Sequence, residues 1–504
     1  MLVPFLTACP GGETPGGGGG GGGDGETESD FMDSLGDRDY GGDTFVISAL
    51  NRYDYEVYAE QDSTEVLDEA VYRRNRKIED RFRIQLGYDF VTYVDNMTHL
   101  NHIQKIYNSG NDTFDIAMLY VYTSGILVTG SMLYDLRLDI PYVKDSLNNM
   151  GDPEKSVPWW SEDINTAFTV NGCQYVGVSD YCITAMNMTY AMVFNKQIDT
   201  DNNISKSLGY ESMYDIVRQG DWTIDLMRSM VKDRYQDSTT TGGTVGAVDW
   251  ETDSFGFVCD TATALDQFAP ALNIQYVRNN GEETPELFTM DGRVAQAFGA
   301  VYDLFHGPGK GAQAFVMSAD GQNVPSVFTE GRSFLIALPI HRLSEDAVHD
   351  MEDDFGIIPY PKAEGQSVYY SGTMDNYSVI CVLSALVPDR LELVGTMIEA
   401  LSAETTNSVI EPYYNLVVTH KDTRDPESVE MLRIIMDGRL YDFATLHYTD
   451  LYYDSSTGTV GLGLLMRYSI NDRIADITSF WASVRDQVSA RLDDLVYEYE
   501  HMYD

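Results

Sequence analysis

Side chains suited to holding a polar, hydroxyl-rich solute are abundant in this sequence. It contains 34 tyrosines and five tryptophans, and acidic residues outnumber basic ones by 79 to 33. A sugar is held by flat aromatic faces, which cover its C–H patches, and by planar carboxylate or amide groups, which pair with its hydroxyls. Many of these rings must also fill the core of a chain of 504 residues. Composition therefore favours a carbohydrate-binding cleft without locating it.

Motifs for enzymatic chemistry are missing from the sequence. It has no Gly-x-Ser-x-Gly, no His-Glu-x-x-His and no Gly-x-x-x-x-Gly-Lys-Ser/Thr, and its eight histidines are scattered. We therefore expect no enzyme activity and no cofactor. A glycosidase needs only two carboxylates a few ångströms apart, so a glycan-active enzyme stays open as an alternative.

The cysteines and acidic loops do not form a recognisable metal site. Asp199 to Asn203 begin like a calcium loop, but Ile204 stands in place of the glycine and Tyr210 in place of the glutamate. Four cysteines of the body form no C-x-x-C pair, and no histidines stand at zinc-ligand spacing: Cys173, Cys182, Cys259 and Cys381. We expect no metal. Cys173 and Cys182 could form a disulfide, or all four could remain free thiols.

The net charge limits the choice of partners. A formal charge of -46 repels phosphate backbones and anionic lipid, so nucleic acid is not an expected partner. No run of about twenty apolar residues occurs, so the body is not expected to span a membrane. Attachment to a membrane would have to come from a covalent lipid.

The amino terminus suggests such a lipid anchor followed by a tether. Leu6-Thr7-Ala8-Cys9 resembles the lipobox of bacterial lipoproteins, which implies lipidation of Cys9, and eight glycines follow at Gly16 to Gly23. The five residues before Leu6 carry no positive charge and are shorter than a signal peptide needs. As a flexible coil, the next 33 or so residues would span roughly 30 Å. A chance cysteine on a disordered amino terminus is the alternative.

Beyond Thr44 the pattern alternates between strands and helices. Strands are predicted at 45–50, 84–91 and 115–120, with helices at 64–82 and 99–107 between them. This β-α-β-α-β succession predicts a parallel sheet, in which ligands meet the carboxyl ends of the strands. Tyr53, Tyr120 and Tyr122 stand at those ends. A last helix is predicted over Ser483 to Met502, with one apolar stripe.

A series of short motifs resembles the extracellular solute-binding proteins of the maltose-binding type, which serve ABC importers. The motifs keep the family's order over residues 43 to about 425, and they are Tyr134-Asp135-Leu136, Pro158-Trp159-Trp160, Val170 to Val178, Ala191 to Lys196, Gly220 to Asp225, Phe328 to Ser333 and Phe355 to Lys362. Each motif is weak alone. Their shared order and spacing carry the resemblance.

The resemblance implies an α/β protein of the periplasmic-binding-protein type II (Venus-flytrap) fold. Each of its two lobes would be a mixed sheet flanked by helices, and the lobes would close on a solute like a hinge. By this analogy residues 1–42 are a truncated signal and lipobox with a glycine-rich disordered tether. Residues 43–184 and 374–425 form lobe 1, and residues 185–373 and 426–504 form lobe 2.

Further candidate ligand-binding residues follow from local context and from the resemblance. Trp159, Trp160 and Trp250 stand among polar and turn residues, whereas Trp222 and Trp481 are expected in packing. The resemblance places the other candidates in the passages between lobes or over the ligand in lobe 2. They are Asp180, Tyr181, Asp266, Gln267, His341, Asp375 and Asn376.

These observations predict a lipid-anchored protein on the cell surface or in the periplasm that captures a small polar solute. An oligosaccharide is the expected ligand, and the permease subunits of an ABC importer are the expected partners. The chain is expected to be a monomer without catalytic residues. The alternatives are a secreted glycan-active enzyme and a surface interaction protein that transports nothing.

Overall fold

A computed structural model describes residues 35–502, apart from 62, 64, 112, 239–247, 250, 282–283, 316–322, 345–347, 349–350, 421–422, 449–450, 452 and 455–458. The chain divides into two units, Met1–Asp37 and Arg38–Asp504, and the second contains all the elements below. Its strands are β1 Thr44–Leu50, β2 Gln85–Val91, β3 Ile116–Tyr120, β4 Tyr190–Asn195, β5 Phe255–Asp260, β6 Val277–Arg278, β7 Glu286–Leu287, β8 Ala312–Phe315, β9 Ser333–Pro339, β10 Phe355–Ile358, β11 Ser378–Cys381, β12 Thr419–His420, β13 Thr423–Arg424, β14 Tyr453–Asp454 and β15 Thr459–Val460.

The first sheet has the strand order β11-β3-β1-β2. β1 runs parallel to β2 and to β3, and Ile47 stands beside Ile116 in the register. β11 closes the sheet antiparallel to β3, with Ser378 opposite Tyr120. Every residue of β3 is buried, as expected of a strand covered on both faces. The three parallel strands therefore end at one edge of the sheet, where the predicted tyrosines lie.

The second sheet has the strand order β10-β4-β9-β5-β8. β5 is parallel to β9 and β8, whereas β4 is antiparallel to β9 and to β10. All the residues of β4, β5, β9 and β10 are buried. Three short ladders, β6-β7, β12-β13 and β14-β15, lie outside the two main sheets. The predicted α/β fold with mixed sheets is confirmed.

Helices surround both sheets. The helix Val66–Phe82 buries Val71, Ile78 and Phe82 along one stripe and ends at Arg83, which adopts a left-handed conformation. The helices in chain order are Val66–Phe82, Thr98–Ser109, Val121–Thr129, Val143–Asn148, Glu162–Ala167, Ile183–Asn187, Lys196–Asp201, Ile204–Ser207, Met213–Arg218, Ile224–Val231, Thr263–Asp266, Phe268–Ala271, Gly292–His306, Asn323–Thr329, Leu391–Ser408, Ile410–Val418, Pro426–Asp437, Phe443–Leu446, Leu465–Asn471 and Ile477–Glu500. Short 3-10 turns cover Asp54–Glu56, Ile340–Ser344, Pro388–Arg390 and Leu462–Leu464.

Two segments carry the chain between the sheets. The first crossing segment, residues 183–189, leads into β4, and the second crossing segment, residues 371–378, leads into β11. They lie side by side, because Tyr190 N–H donates to Gly372 O and Met374 N–H donates to Met188 O, both at 3.0 Å. In this way backbone hydrogen bonds fix the two crossings to each other.

The carboxyl-terminal residues contact elements around both sheets. The helix Phe443–Leu446 packs on the helix Val121–Thr129, which follows β3. The helix Ile477–Glu500 packs on Phe288 through Trp481, whose ring centroid is 4.7 Å away, and Tyr499 meets Tyr175 at 5.8 Å. No helix in the described part of the chain combines the length and apolar composition that a membrane crossing requires.

Candidate functional site

A row of tyrosine rings begins at the carboxyl edge of the first sheet. Tyr53 follows β1, Tyr120 ends β3, and Tyr122 lies in the first turn of the next helix. Ring centroids are 5.5 Å apart for Tyr53 and Tyr120 and 5.6 Å apart for Tyr120 and Tyr122. Tyr448, from the carboxyl-terminal region, meets Tyr122 edge to face at 5.6 Å. We call Tyr53, Tyr120, Tyr122 and Tyr448 the tyrosine row.

Amides from the two crossing segments contact this end of the row. Asn376 Nδ2 donates to the Tyr53 hydroxyl at 3.0 Å. Asn187 Nδ2 donates to the hydroxyl of Tyr55 at 2.9 Å, and Tyr55 packs against Tyr53 with centroids 6.1 Å apart. His341 Nδ1 lies 3.3 Å from the backbone oxygen of Asn187. Hydrogen bonds to their hydroxyls therefore connect Tyr53 and Tyr55 to the two crossing segments.

An ion pair stands at the other end of the row. Asp266 follows β5 of the second sheet, and Arg467 Nε lies 2.9 and 2.7 Å from its two carboxylate oxygens. Burial raises the pKa of Asp375, and the positive charge of Arg467 opposes that rise. Asp375 in turn acts on Tyr122 and Tyr448, whose hydroxyl pKa values are both raised mainly by burial. The Arg467 guanidinium therefore forms an ion pair with Asp266 and also opposes the rise in the pKa of Asp375.

A small cavity lies between these carboxylates and the second crossing segment. Asp266, Gln267, Asp375, Thr373 and Tyr441 are among its lining residues, and its volume is about 50 Å³. At 10–15 Å³ for each water, such a space holds a few water molecules, whereas ligand pockets usually measure roughly 300–1,000 Å³. A sugar-sized solute could enter only if the walls move apart.

The arrangement of the chain matches that of known solute-binding proteins. No protein-family model and no curated protein matches the sequence. A family 1 extracellular solute-binding protein from Bifidobacterium longum subsp. infantis is similar in structure, with a TM-score of 0.51 and 13% identity, over 92% of this chain and 100% of that one. UgpB from Mycobacterium tuberculosis, in complex with glycerophosphocholine, gives a TM-score of 0.50 and 15% identity, over 84% of this chain and 95% of that one.

The chain has the fold of a family 1 extracellular solute-binding protein. This likeness confirms the type II fold predicted from the sequence. At such low identity the likeness concerns the fold and does not transfer individual ligand contacts.

The structure brings together most of the site residues predicted from the sequence. Tyr53, Tyr120, Tyr122 and Asn376 belong to the tyrosine row or contact it, and Asp266, Gln267 and Asp375 line the cavity beside it. His341 joins through Asn187. Trp250 and Cys9 lie outside the described residues.

Four predicted residues make their contacts away from the tyrosine row. The indole N–H groups of Trp159 and Trp160 donate to the two carboxylate oxygens of Glu399, at 2.7 and 2.9 Å. Asp180 accepts a 2.6 Å hydrogen bond from the Thr406 hydroxyl, and burial raises its pKa to about 6. Tyr181 is fully buried beneath the guanidinium of Arg74 at 4.7 Å. These contacts place all four side chains in packing around the helix Leu391–Ser408 or the helix Val66–Phe82.

Sequence reasoning missed Tyr55, Asn187, Tyr448 and Arg467. Tyr55 had a local signal, because it stands two residues after Tyr53 at the end of a predicted strand. Tyr448 and Arg467 had none, because only long-range packing brings the carboxyl-terminal region to β3 and β5.

A serine, an aspartate and two histidines also meet behind the first sheet. Ser48 Oγ lies 3.0 Å from His99 Nε2 and donates to Asp89 Oδ2 at 3.0 Å, while His102 Nε2 lies 2.7 Å from the same oxygen. In a hydrolase triad the aspartate pairs with the histidine that faces the serine. Here it pairs with the serine and with the other histidine, and Ser48 is fully buried. The group joins the helix Thr98–Ser109 to the sheet and lacks the geometry of an activated nucleophile.

The cysteines and carboxylates of the described residues form neither disulfides nor a metal cluster. Cys173, Cys182, Cys259 and Cys381 are free thiols. No group of three or more His, Cys, Asp or Glu side chains in this part of the chain is placed to hold a metal ion.

Proposed function

We propose that the chain is an extracytoplasmic solute-binding protein that captures a small polar solute, foremost an oligosaccharide, and delivers it to an ABC permease. The observation that carries the proposal is the tyrosine row, with planar amides at one end and carboxylates at the other. It lies where β1 and β3 end, beside the segments that join the two sheets. In an α/β fold this is the edge at which ligands bind.

The charges around the row favour a neutral solute. Arg467 offsets the charge of Asp266, and Arg52, whose guanidinium lies 5.6 Å from the Tyr53 ring, stands at the other end near the exposed edge. Tyr53, Tyr120 and Tyr122 are buried in this form, so a sugar would reach them only after the walls of the cavity move apart. A neutral polyol would then pair with Asp375, Asn376 and Asp266 while its C–H faces lie on the rings. An anion would meet both these carboxylates and the chain's overall charge of -46.

Binding would act through lobe closure. We place lobe 1 at 43–184 and 374–425, and lobe 2 at 185–373 and 426–504. A solute that contacts both lobes only when they are closed shifts the population toward that form. The permease would recognise the closed form, and no catalytic step is needed.

We also propose that the protein is anchored to the membrane on its extracytoplasmic side. Lipidation of Cys9 would anchor the chain to the membrane, and the glycine run would hold a monomeric body a short distance above it. The fold of the body supports an extracytoplasmic place, since one structural neighbour is a family 1 extracellular solute-binding protein.

Thermal-shift screening of residues 40–504 tests the proposal. The panel contains raffinose, maltotriose, ribitol, glycerophosphocholine, di- and tripeptides, and spermidine. A solute at a hundred times its dissociation constant stabilises the native state by about 2.7 kcal/mol, which raises the Tm by a few degrees. A rise with one sugar and no new products supports the proposal and names the solute.

Two other results would contradict it. Release of reducing ends from a glycan would show an enzyme. An unchanged Tm with every solute of the panel would favour a surface interaction protein.

A further inference from the structure

The turn that carries Tyr53 and Tyr55 is connected to both crossing segments by three nearby side chains. Tyr53 accepts from Asn376 in the second crossing segment, and Tyr55 accepts from Asn187 in the first. Glu56 contacts both segments. Its Oε1 accepts from Thr184 N–H at 2.6 Å, and its Oε2 accepts from the Ser378 hydroxyl at 2.7 Å. One carboxylate therefore spans the two passages between the sheets.

The surroundings of Glu56 fix its position. Only 1% of its surface is exposed. Behind it, Arg74 Nη2 donates to the backbone oxygen of Glu56 at 2.8 Å and Nη1 donates to Thr405 Oγ1 at 3.1 Å. The crossing segments are also joined directly, since Ser378 N–H donates to Thr184 Oγ1 at 2.8 Å. Burial raises the pKa of Glu56 to about 7, and the hydrogen bonds from Thr184 and Ser378 oppose that rise.

We propose that Glu56 is a positioning residue that locks the Tyr53–Tyr55 turn to both crossing segments, so that the solute-contacting rings and the hinge move as one piece. The proposal rests on the proposed function, because a hinge has a role only if the lobes close. Glu56 does not touch the solute. It acts through the tyrosines before it and through the two segments that it joins.

Hydrogen exchange of the full chain without any solute tests this directly. In Glu56→Ala we expect exchange about tenfold faster in peptides covering 53–57, 183–189 and 371–378 together, because two hydrogen bonds to a buried carboxyl group are lost. Glu56→Gln should stay within about threefold of the wild type. Its amide oxygen can accept from Thr184, and its NH₂ can donate to the Ser378 oxygen.

Glu399→Ala is the matched control. Glu399 is also a fully buried carboxylate with two donors, Trp159 and Trp160, but it lies on the helix Leu391–Ser408. It should accelerate exchange around the tryptophans and leave the crossing segments unchanged. An equal acceleration of both crossing segments in Glu399→Ala would show general loosening and would overturn the proposal.

Ser378→Ala provides an independent test of the proposal if Glu56→Ala does not fold. Removal of this hydroxyl in the second crossing segment should also accelerate exchange in the first, through Glu56 and Thr184. Acceleration confined to 371–378 would sink the idea, as would unchanged exchange there in Glu56→Ala. A silent solute panel bears only on the proposed function, since exchange is measured without solute.

Discussion

The ring of Tyr122 meets the ring of Tyr448 edge to face, with centroids 5.6 Å apart. The first ring follows β3 and the second precedes β14, so the carboxyl-terminal region packs against the end of a strand of the first sheet. Together with Arg467 and Asp266, this contact brings a distant part of the chain to the candidate site. The site therefore depends on more than the two sheets.

Tyr122→Ala should weaken binding of whichever sugar shifts the Tm most. Loss of one aromatic face that covers a sugar removes about 1–3 kcal/mol, or roughly 5- to 150-fold in Kd. Isothermal titration measures it. Tyr497→Ala is the control, because that ring is 61% exposed on the last helix and should leave Kd unchanged. Equal effects of the two substitutions would argue against the row as the binding surface.

Arg467→Met should destabilise the fold markedly. The side chains of Arg467 and Asp266 are 22% and 14% exposed, so the substitution leaves a largely buried carboxylate without its bidentate partner. We expect a loss of roughly 2–4 kcal/mol in urea unfolding. Arg485→Met removes an ion pair whose side chains are 62% and 87% exposed, and should change stability by less than about 0.5 kcal/mol. The idea fails if the two losses are alike.

Glu399→Gln tests whether Trp159 and Trp160 stabilise the fold or contact the sugar. A carboxamide has one acceptor oxygen for two indole donors, so one N–H of Trp159 or Trp160 becomes buried and unsatisfied. That costs about 1–3 kcal/mol of stability. Glu392→Gln, on the same helix with a side chain 60% exposed, should cost less than about 0.5 kcal/mol. Sugar affinity should be unchanged in both variants. A weaker affinity in Glu399→Gln would indicate that Trp159 and Trp160 contribute to sugar binding.

The fold was predictable because the apolar patterns of the sequence match the burial of the strands and helices. The predicted strands at 45–50, 84–91 and 115–120 match β1, β2 and β3 to within a residue. The apolar runs of β1 and β3 are typical of strands covered on both faces. The last helix was predicted to begin at Ser483 and begins at Ile477, because its amino end is capped by Asp476, outside the apolar stripe.

The site was predictable only where it follows strand ends. Tyr53, Tyr120 and Tyr122 come from such ends, and their proximity follows from parallel strands sharing an edge. The polar neighbours of Trp159 in the sequence give no hint of Glu399, which reaches it from a distant helix. Likewise no local pattern shows that Arg467 will meet Asp266. Such pairings are set by tertiary packing.

Gly125→Ala should separate the carboxyl-terminal region from the helix Val121–Thr129. A methyl group at Gly125 would overlap the backbone oxygen of Leu446 and crowd His447. Backbone cannot yield as a flexible side chain can, so we expect a loss of about 1–3 kcal/mol by thermal unfolding. Gly299→Ala is the matched control, since its methyl would enter open space in the helix Gly292–His306. It should raise stability by up to about 1 kcal/mol. Similar results at the two glycines would show that the close approach is unimportant.

His447 should make the fold sensitive to acid. Its ring is fully buried, with Nε2 2.9 Å from the Tyr499 hydroxyl, and burial lowers its pKa to about 3. Because an unfolded histidine titrates near 6.5, the unfolded chain binds one more proton between that pH and about 3. The stability contributed by neutral His447 is thus complete above pH 6.5 and is lost as the pH falls, by about 1.4 kcal/mol per unit.

His447→Gln removes this titration while keeping a group that can pair with Tyr499. The difference in unfolding free energy between wild type and variant should therefore shrink steadily from pH 6.5 to 4 in urea titrations. Comparison of the two proteins is needed, because buried carboxyl groups such as Glu56 and Glu399, with pKa values raised to about 7, give the opposite slope in both. A constant difference for His447→Gln across this range would mean that the ring is charged or hydrated in the folded protein.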